Sequence, residues 1–267
     1  VIYRKLSGYK KQVSVLGIGT WKMKGHRKDA VNAIKYAIDH GINFIDTAEM
    51  YETEDIVAEA IKDYNRDDIF IATKIWPDHF HYNDVINACN ESLARLKTDH
   101  IDLYQLHWPN HSIDIEETMS AMEKLKDDGK IDLIGVSNFN ATECQEASYA
   151  MKRYAISTNQ LKYNVLSKEI EFDGTYDYCM RHDISIIAYS PLNKGLLFND
   201  RKTLKFLEEI SIKYAATPAQ IALAWLLYHN NVMAIPKSIN IEHLQENINA
   251  VDIKLKAEDY LGISKLI

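Results

Sequence analysis

Apolar positions along the chain switch between two periods. Short apolar runs of strand length, bounded by polar or turn residues, occur at NFIDT (43–47), IFIATKI (69–75), IDLYQLH (101–107), DLIGVSN (132–138), STNQLKYN (157–164), ISIIAYS (184–190) and VMAIPKS (232–238). Between them apolar residues recur every third or fourth position, which predicts helices near Asp29–His40, Thr53–Tyr64, Asn83–Leu96, Ile115–Asp127, Ala141–Met151, Asp173–His182, Pro218–His229 and Ile241–Val251. Lys202–Tyr214 is an additional helical stretch, so the connection between the last two strands is the longest. Counting VLGIGT (15–20) as the first, eight strands alternate with helices. Parallel neighbours need such crossovers, and eight strands close a barrel. The expected architecture is a (β/α)8 barrel of the TIM type. Residues 2–6 and 12–16 alternate around Ser7-Gly8-Tyr9 and predict an N-terminal hairpin closing its bottom. No linker, repeat or low-complexity tract divides the chain, so residues 1–267 are expected to form one domain.

Size and composition agree with that expectation. The 267 residues match the roughly 250 typical of one such barrel. With 46% hydrophobic and 26% charged residues the chain has the make-up of a soluble globular protein. A net charge of -7 argues against nucleic acid or an anionic membrane as partner. Cys89, Cys144 and Cys179 are widely spaced and each falls in a helical pattern, as expected of reduced core thiols. The opening residues VIYRKLSGYKK lack an apolar signal core, and no run reaches the ~18 apolar residues of a membrane span. A cytoplasmic monomer is the expectation.

Chemistry concentrates in GINFIDTAEMY, residues 41–51. Asp46 ends a buried strand, where a bare carboxylate costs several kcal/mol unless a cation or donors meet it. Lys74 closes the next strand and is the evident partner, with Tyr51 one short loop beyond. An unperturbed phenol titrates near ~10, too high for efficient proton donation at neutral pH. A nearby ammonium lowers that value, and a carboxylate holds the ammonium charged. The trio suits protonation of a developing alkoxide, and equally an ordinary buried ion pair beside a core tyrosine. Asp46, Lys74, His107, Asn138, Gln160, Tyr189 and Lys237 all fall at or near the C-terminal ends of different strands, the rim where barrel active sites assemble. His107 ends an apolar strand, where a lone histidine is more often a core residue than a catalyst, and from the rim its imidazole could orient a carbonyl oxygen. Trp21, Trp76 and Trp108 each follow a strand and are candidates to wall one pocket.

GIGTW (17–21) is not a dinucleotide fingerprint, because Lys22 replaces the third glycine and the motif opens a loop. IPKSINIEHLQEN (235–247) offers another anion site: a strand end, Lys237, Ser238, then a helix N-terminus whose free N–H groups attract phosphate.

GIGTW, FIDTAEMY, TKIW, LHWP, GVSNF, NQLKYN, AYSPLNKGLL and IPKS, in this order and spacing, resemble the aldo-keto reductases along nearly the whole chain. The resemblance implies hydride transfer between NADPH and an aldehyde or ketone. It implies Tyr51 as proton donor, Lys74 and Asp46 as the pair lowering its pKa, and His107 positioning the carbonyl. Tyr189 would stack on the nicotinamide, with Ser137, Asn138 and Gln160 at its carboxamide and Thr20 and Trp21 alongside. Ser190, Leu192 and Asn193 would follow the pyrophosphate, and Lys237, Ser238, His243, Glu246 and Asn247 the adenosine end. Trp21, Met50, Trp76, Phe80, His107 and Trp108 would line the substrate pocket, near His111.

Two departures stand out. Glu52-Thr53 replaces the Gly-Asn that usually follows the family's tyrosine, and His243 stands where an arginine commonly grips the 2′-phosphate. Histidine lacks arginine's permanent bidentate charge, so NADH is possible beside NADPH. The chain ends at Ile267, about twenty residues after Asn247, short of the C-terminal loop that covers the pocket in longer relatives, and loose substrate choice is expected. A metal-dependent barrel hydrolase would use His79, His81, His107 and His111, but Pro77-Asp78 separates the first two from the strand and no metal is expected. A non-catalytic nucleotide-binding subunit on the same barrel is the other alternative.

Overall fold

The structure is a computed structural model; it describes residues 1–266, and Phe198 by its backbone alone. β1 (Tyr3–Lys5) and β2 (Gln12–Ser14) pair antiparallel as the hairpin. Eight parallel strands follow: β3 (Gly17–Gly19), β4 (Phe44–Asp46), β5 (Phe70–Ile75), β6 (Ile101–Leu106), β7 (Ile131–Ser137), β8 (Ile156–Lys162), β9 (Ser185–Tyr189) and β10 (Val232–Ala234). They pair in chain order from β3 to β10. Leu16 bridges Ala234, and the Gly19 N–H donates to the Pro236 carbonyl at 3.2 Å, so the two ends meet and the sheet is nearly closed. β10 stops at Ala234 because Pro236 has no N–H for a ladder, so Lys237 lies beyond the strand that the apolar run suggests.

The helices are α1 (Arg27–Asp39), α2 (Glu54–Ile61), α3 (Tyr82–Leu96), α4 (Ile115–Asp127), α5 (Ala141–Ala150), α6 (Thr175–Arg181), α7 (Arg201–Lys213), α8 (Pro218–Leu227), α9 (Ile241–Asn249) and α10 (Ala257–Ser264). Their apolar stripes face the strands; on α1, Ala30, Ala33, Ile34 and Ala37 are buried at that spacing. α8 is buried over almost its whole length and starts sharply, with Pro218 at its first turn and a Thr217–Gln220 capping box. Arg4 in β1 donates to the Leu227 and His229 carbonyls at 3.0 and 2.9 Å, which ends α8 two residues before the periodicity does and fastens the hairpin to the barrel. α10 carries only two buried positions and was not visible as a helix in the pattern.

The core has two shells. Inside the barrel Phe44, Phe70, Leu103, Leu133, Ile187 and Met233 fill the bottom, capped by Leu6 and Val13 of the hairpin. Gly17 is required there, since a Cβ would meet the Phe44 ring at 2.7 Å. Outside, the second shell lies between strands and helices. Asp102 at the start of β6 is fully buried and accepts from Tyr9 at 2.5 Å, Arg66 at 2.7 Å and the Ile71 N–H at 2.9 Å. With the bottom filled and bolted, the open end is the C-terminal rim.

Candidate active site

Asp46, the last residue of β4, and Lys74, near the end of β5, point into the barrel mouth and are almost wholly buried. Lys74 Nζ donates to Asp46 Oδ1 and to the Thr47 carbonyl, each at 2.7 Å, and lies 3.5 Å from the Tyr51 hydroxyl. Gln160 Nε2 reaches the other Asp46 oxygen at 2.7 Å. Burial opposes the Lys74 charge, but the Asp46 carboxylate reverses that and holds the ammonium above its ordinary value. Burial pushes the Asp46 carboxyl up, against Lys74 and Gln160. Two short bonds to that carboxylate and one to a carbonyl fit an ionised pair.

Tyr51 ends a short 3-10 turn, Glu49–Tyr51. Its hydroxyl is 3.5 Å from His107 Nε2 as well as from Lys74. Burial raises the phenol above its ordinary value, Lys74 pulls it down and Asp46 pushes it up. The phenol thus lies above its ordinary value and not below it as the resemblance implies, because burial outweighs Lys74; Asp46 acts, as the sequence suggests, by keeping Lys74 charged. His107 is pushed down to about 3 by burial and by Lys74, so the imidazole is neutral. Its Nδ1 is buried without a partner, which favours the tautomer carrying hydrogen on Nε2, facing Tyr51. The rings of Tyr51 and Trp76 both meet His107 edge-on, with centroids 5.5 and 5.3 Å away.

The unusual Glu52-Thr53 pair has a structural account. Glu52 is left-handed at φ 52°, a conformation in which glycine carries no penalty, and its carboxylate pairs with Lys24. Thr53 is fully buried, its hydroxyl 2.8 Å from Thr20 Oγ1 and 2.9 Å from Thr47 Oγ1. Three hydroxyls thus brace the loop carrying Tyr51. Sequence reasoning missed this brace, and missed Gln160 as a partner of Asp46; only the departure from Gly-Asn pointed there.

At the expected cofactor positions, Asn138 is left-handed at φ 62° and donates to the His107 carbonyl and Ser137 Oγ, each at 3.0 Å. Tyr189 OH donates to Asn138 Oδ1 at 2.9 Å, and Ser137 Oγ to the Gln160 carbonyl at 2.9 Å. These four residues form one connected wall. Ser190, Leu192 and Asn193 are half-buried on the loop after β9, and Lys194 from that loop lies 4.6 Å from the Trp21 ring, with Lys22 at 4.5 Å. Farther along, Lys237 and His243 are exposed, Glu246 is half-buried, and Ser238 and Asn247 are buried. The α9 N-terminus is less open than expected. Asn240 Oδ1 accepts the N–H groups of Glu242 and His243, and Ser238 Oγ donates to the Asn240 carbonyl, so attraction there falls to Lys237 and the helix dipole.

Among the pocket candidates Met50 and Trp108 are exposed and Trp21 and Trp76 half-buried at the rim. Phe80 is a correction: its ring is 1% exposed and belongs to the core between strands and helices, because Thr118 fastens its carbonyl at 2.8 Å. His79, His81 and His111 are exposed and each pairs with a different carboxylate, Glu49, Glu117 and Glu143. They do not converge on His107; among the described residues the only grouping of three possible ligands is His100, Asp102 and Asp132, at the opposite end of the barrel.

A family model described as Aldo/keto reductase family matches residues 15–267. The chain belongs to the aldo-keto reductase family. It is 38% identical to methylglyoxal reductase YeaE of Escherichia coli (strain K12) over 257 residues, covering 94% of this chain and 89% of that one. It is 35% identical to the glyoxal reductase of Bacillus subtilis (strain 168) over 256 residues, covering 94% and 87%. Its fold superimposes on the thermostable aldo-keto reductase Tm1743, solved with the inhibitor epalrestat, at a TM-score of 0.95, with 40% identity and full coverage of both chains. An aldo-keto reductase from Klebsiella pneumoniae in complex with NADPH gives a TM-score of 0.91 at 35% identity, covering 100% of this chain and 95% of that one. The Asp46, Lys74, Tyr51 and His107 cluster stands at the open rim of a barrel whose other end is packed.

Proposed function

We propose that this aldo-keto reductase reduces small aldehydes and ketones, 2-oxoaldehydes such as methylglyoxal among them, to alcohols with NADPH. The observation that carries this is the Tyr51 hydroxyl at 3.5 Å from both Lys74 Nζ and His107 Nε2. A carbonyl oxygen in that gap meets a neutral imidazole N–H, which orients it, and a protonated phenol, which supplies the proton. Lys74 offsets the phenolate left behind, and Asp46 with Gln160 keeps the ammonium in place.

The bound nicotinamide supplies the hydride. Tyr189 and the amides of Asn138 and Gln160 suit its ring and carboxamide, since the Gln160 side chain spends one N–H on Asp46 and has its amide oxygen to offer a donor. Thr20 and Trp21 lie alongside, the loop of Ser190, Leu192 and Asn193 would follow the pyrophosphate, and Lys237 with His243 stands at the phosphate end. Lys237 favours NADPH; His243 leaves NADH as a weaker second donor. The methylglyoxal and glyoxal reductases among the relatives support the substrate class, and the exposed Met50 and Trp108 support an open pocket. One domain acting as a cytoplasmic monomer fits three buried free thiols and the absence, among the described residues, of a helix long and apolar enough to cross a membrane.

The test is NADPH consumption with methylglyoxal and 4-nitrobenzaldehyde, in the parent chain and in Tyr51→Phe. Turnover in the parent is expected, with kcat at least ~10²-fold lower in the variant. Undiminished turnover in Tyr51→Phe would remove the phenol from the reaction.

A further inference from the structure

Trp76 is the first residue past the β5 ladder, so no neighbouring strand takes its N–H. Glu49 does, through Oε1 at 2.5 Å, and the same oxygen lies 3.1 Å from His79 Nδ1. The Glu49 side chain is only 10% exposed, and it opens the turn that ends in Tyr51. One carboxylate therefore rivets the segment bearing the proton donor to the segment bearing an aromatic wall, and both rings stand edge-on to His107. Nothing else described at the rim ties the Trp76 backbone to Tyr51's turn, whereas Tyr51 itself has Lys74, the Ala48 carbonyl and the threonine brace beneath its loop.

Resting on the reductase reading, we propose that Glu49 is a positioning residue for substrate selection, setting the width of the carbonyl pocket by fixing Trp76 relative to Tyr51. Removing its acceptor leaves the Trp76 N–H without a partner and frees the wall, while the Tyr51, Lys74 and His107 cluster keeps its own supports. Binding of a ring-bearing carbonyl, which leans on that wall, is weakened; binding of a three-carbon dicarbonyl, which does not fill the pocket, changes little. Loss confined to ground-state and transition-state binding alike appears in KM and not in kcat.

Glu49→Ala and Glu49→Gln separate this role from a merely structural one. The glutamine keeps an oxygen for the Trp76 N–H and gives up the charge. For Glu49→Ala the expected result is a KM for 4-nitrobenzaldehyde raised about tenfold with kcat and the KM for methylglyoxal within about twofold of the parent, and Glu49→Gln restores the parent values. Amide hydrogen exchange over residues 76–80 reads the same bond without turnover: Glu49→Ala exchanges at least about tenfold faster there, Glu49→Gln does not. The proposal is overturned if Glu49→Ala keeps the parent KM, if its loss falls on kcat equally for both substrates, or if Glu49→Gln is as impaired as the alanine. A parent chain that exchanges as described yet never consumes NADPH overturns the reductase reading and leaves the Glu49–Trp76 link standing.

Discussion

Asp46→Asn tests the electrostatic core of the site. The substitution leaves Lys74 Nζ, fully buried, without its countercharge, with only a neutral amide oxygen at position 46, the Thr47 carbonyl at 2.7 Å and the phenol at 3.5 Å as partners. At 2.7 Å the lost attraction is about 6 kcal/mol for an effective dielectric of ~20. Relief of the carboxylate's own desolvation returns part of this, and removal of one partner of a buried pair typically costs about 3–5 kcal/mol. Two consequences compete at Tyr51. Loss of the direct Asp46 field makes the phenol more acidic, whereas an ammonium that sheds its proton makes it less so. Lys74 is nearer the phenol and decides the outcome. The part of the loss that falls on the charged form of Lys74 lowers its pKa towards the range of an activity assay.

The parent should therefore show flat kcat/KM for carbonyl reduction from about pH 6 to 9, because His107, at about 3, is already neutral and the phenol, held above its ordinary value, is still protonated. In Asp46→Asn the profile should begin to fall at a lower alkaline pH than in the parent, together with a loss of about 3 kcal/mol in urea unfolding. A variant with parental stability and a flat profile would refute the claim that Asp46 acts by keeping Lys74 charged. A variant more active than the parent would show that the direct field on Tyr51 dominates instead.

Two further predictions concern stability. Asp102→Ala leaves the Arg66 guanidinium, the Tyr9 hydroxyl and the Ile71 N–H without their shared acceptor at the barrel bottom, and urea unfolding should show a loss of about 3–5 kcal/mol; a loss within experimental error would mean that water serves all three. His229 lies among Tyr163, Tyr176, Trp225 and Tyr260, and burial, aided by Arg4, pushes it down to about 4. Because the unfolded chain takes up this proton first, its contribution is complete above about pH 6.5 and is lost as pH falls towards 4, about 1–2 kcal/mol between pH 7.5 and 5 after allowance for partial exposure. His229→Gln should flatten that part of the stability profile, and an unchanged slope would assign it to other groups.

The strands and all but one of the helices were legible because period 2 and period 3.6 patterns follow from which face of each element meets the core. α10 escaped because a short helix resting on a surface needs few apolar positions; it is held by Trp225 Nε1 to Ser264 Oγ at 2.9 Å and by Lys168 to the 264 carbonyl at 2.8 Å. Asp46, Lys74, Tyr51 and His107 were legible as site candidates because barrel topology brings strand ends to one rim, whatever the side chains there do. The net direction of the Tyr51 shift was not, since it depends on how deeply packing buries the phenol against the pull of Lys74. Nor were Phe80's burial, Asn240's hold on the α9 N–H groups, the threonine brace or the Glu49–Trp76 bond. Each of these joins atoms within about 3 Å from loops that no periodicity describes, and hydrogen bonds reward distances and angles that only the closed barrel sets. The order of apolar and polar residues therefore determined the architecture and the face that carries chemistry, while charge states, pocket walls and loop supports were decided by packing in three dimensions.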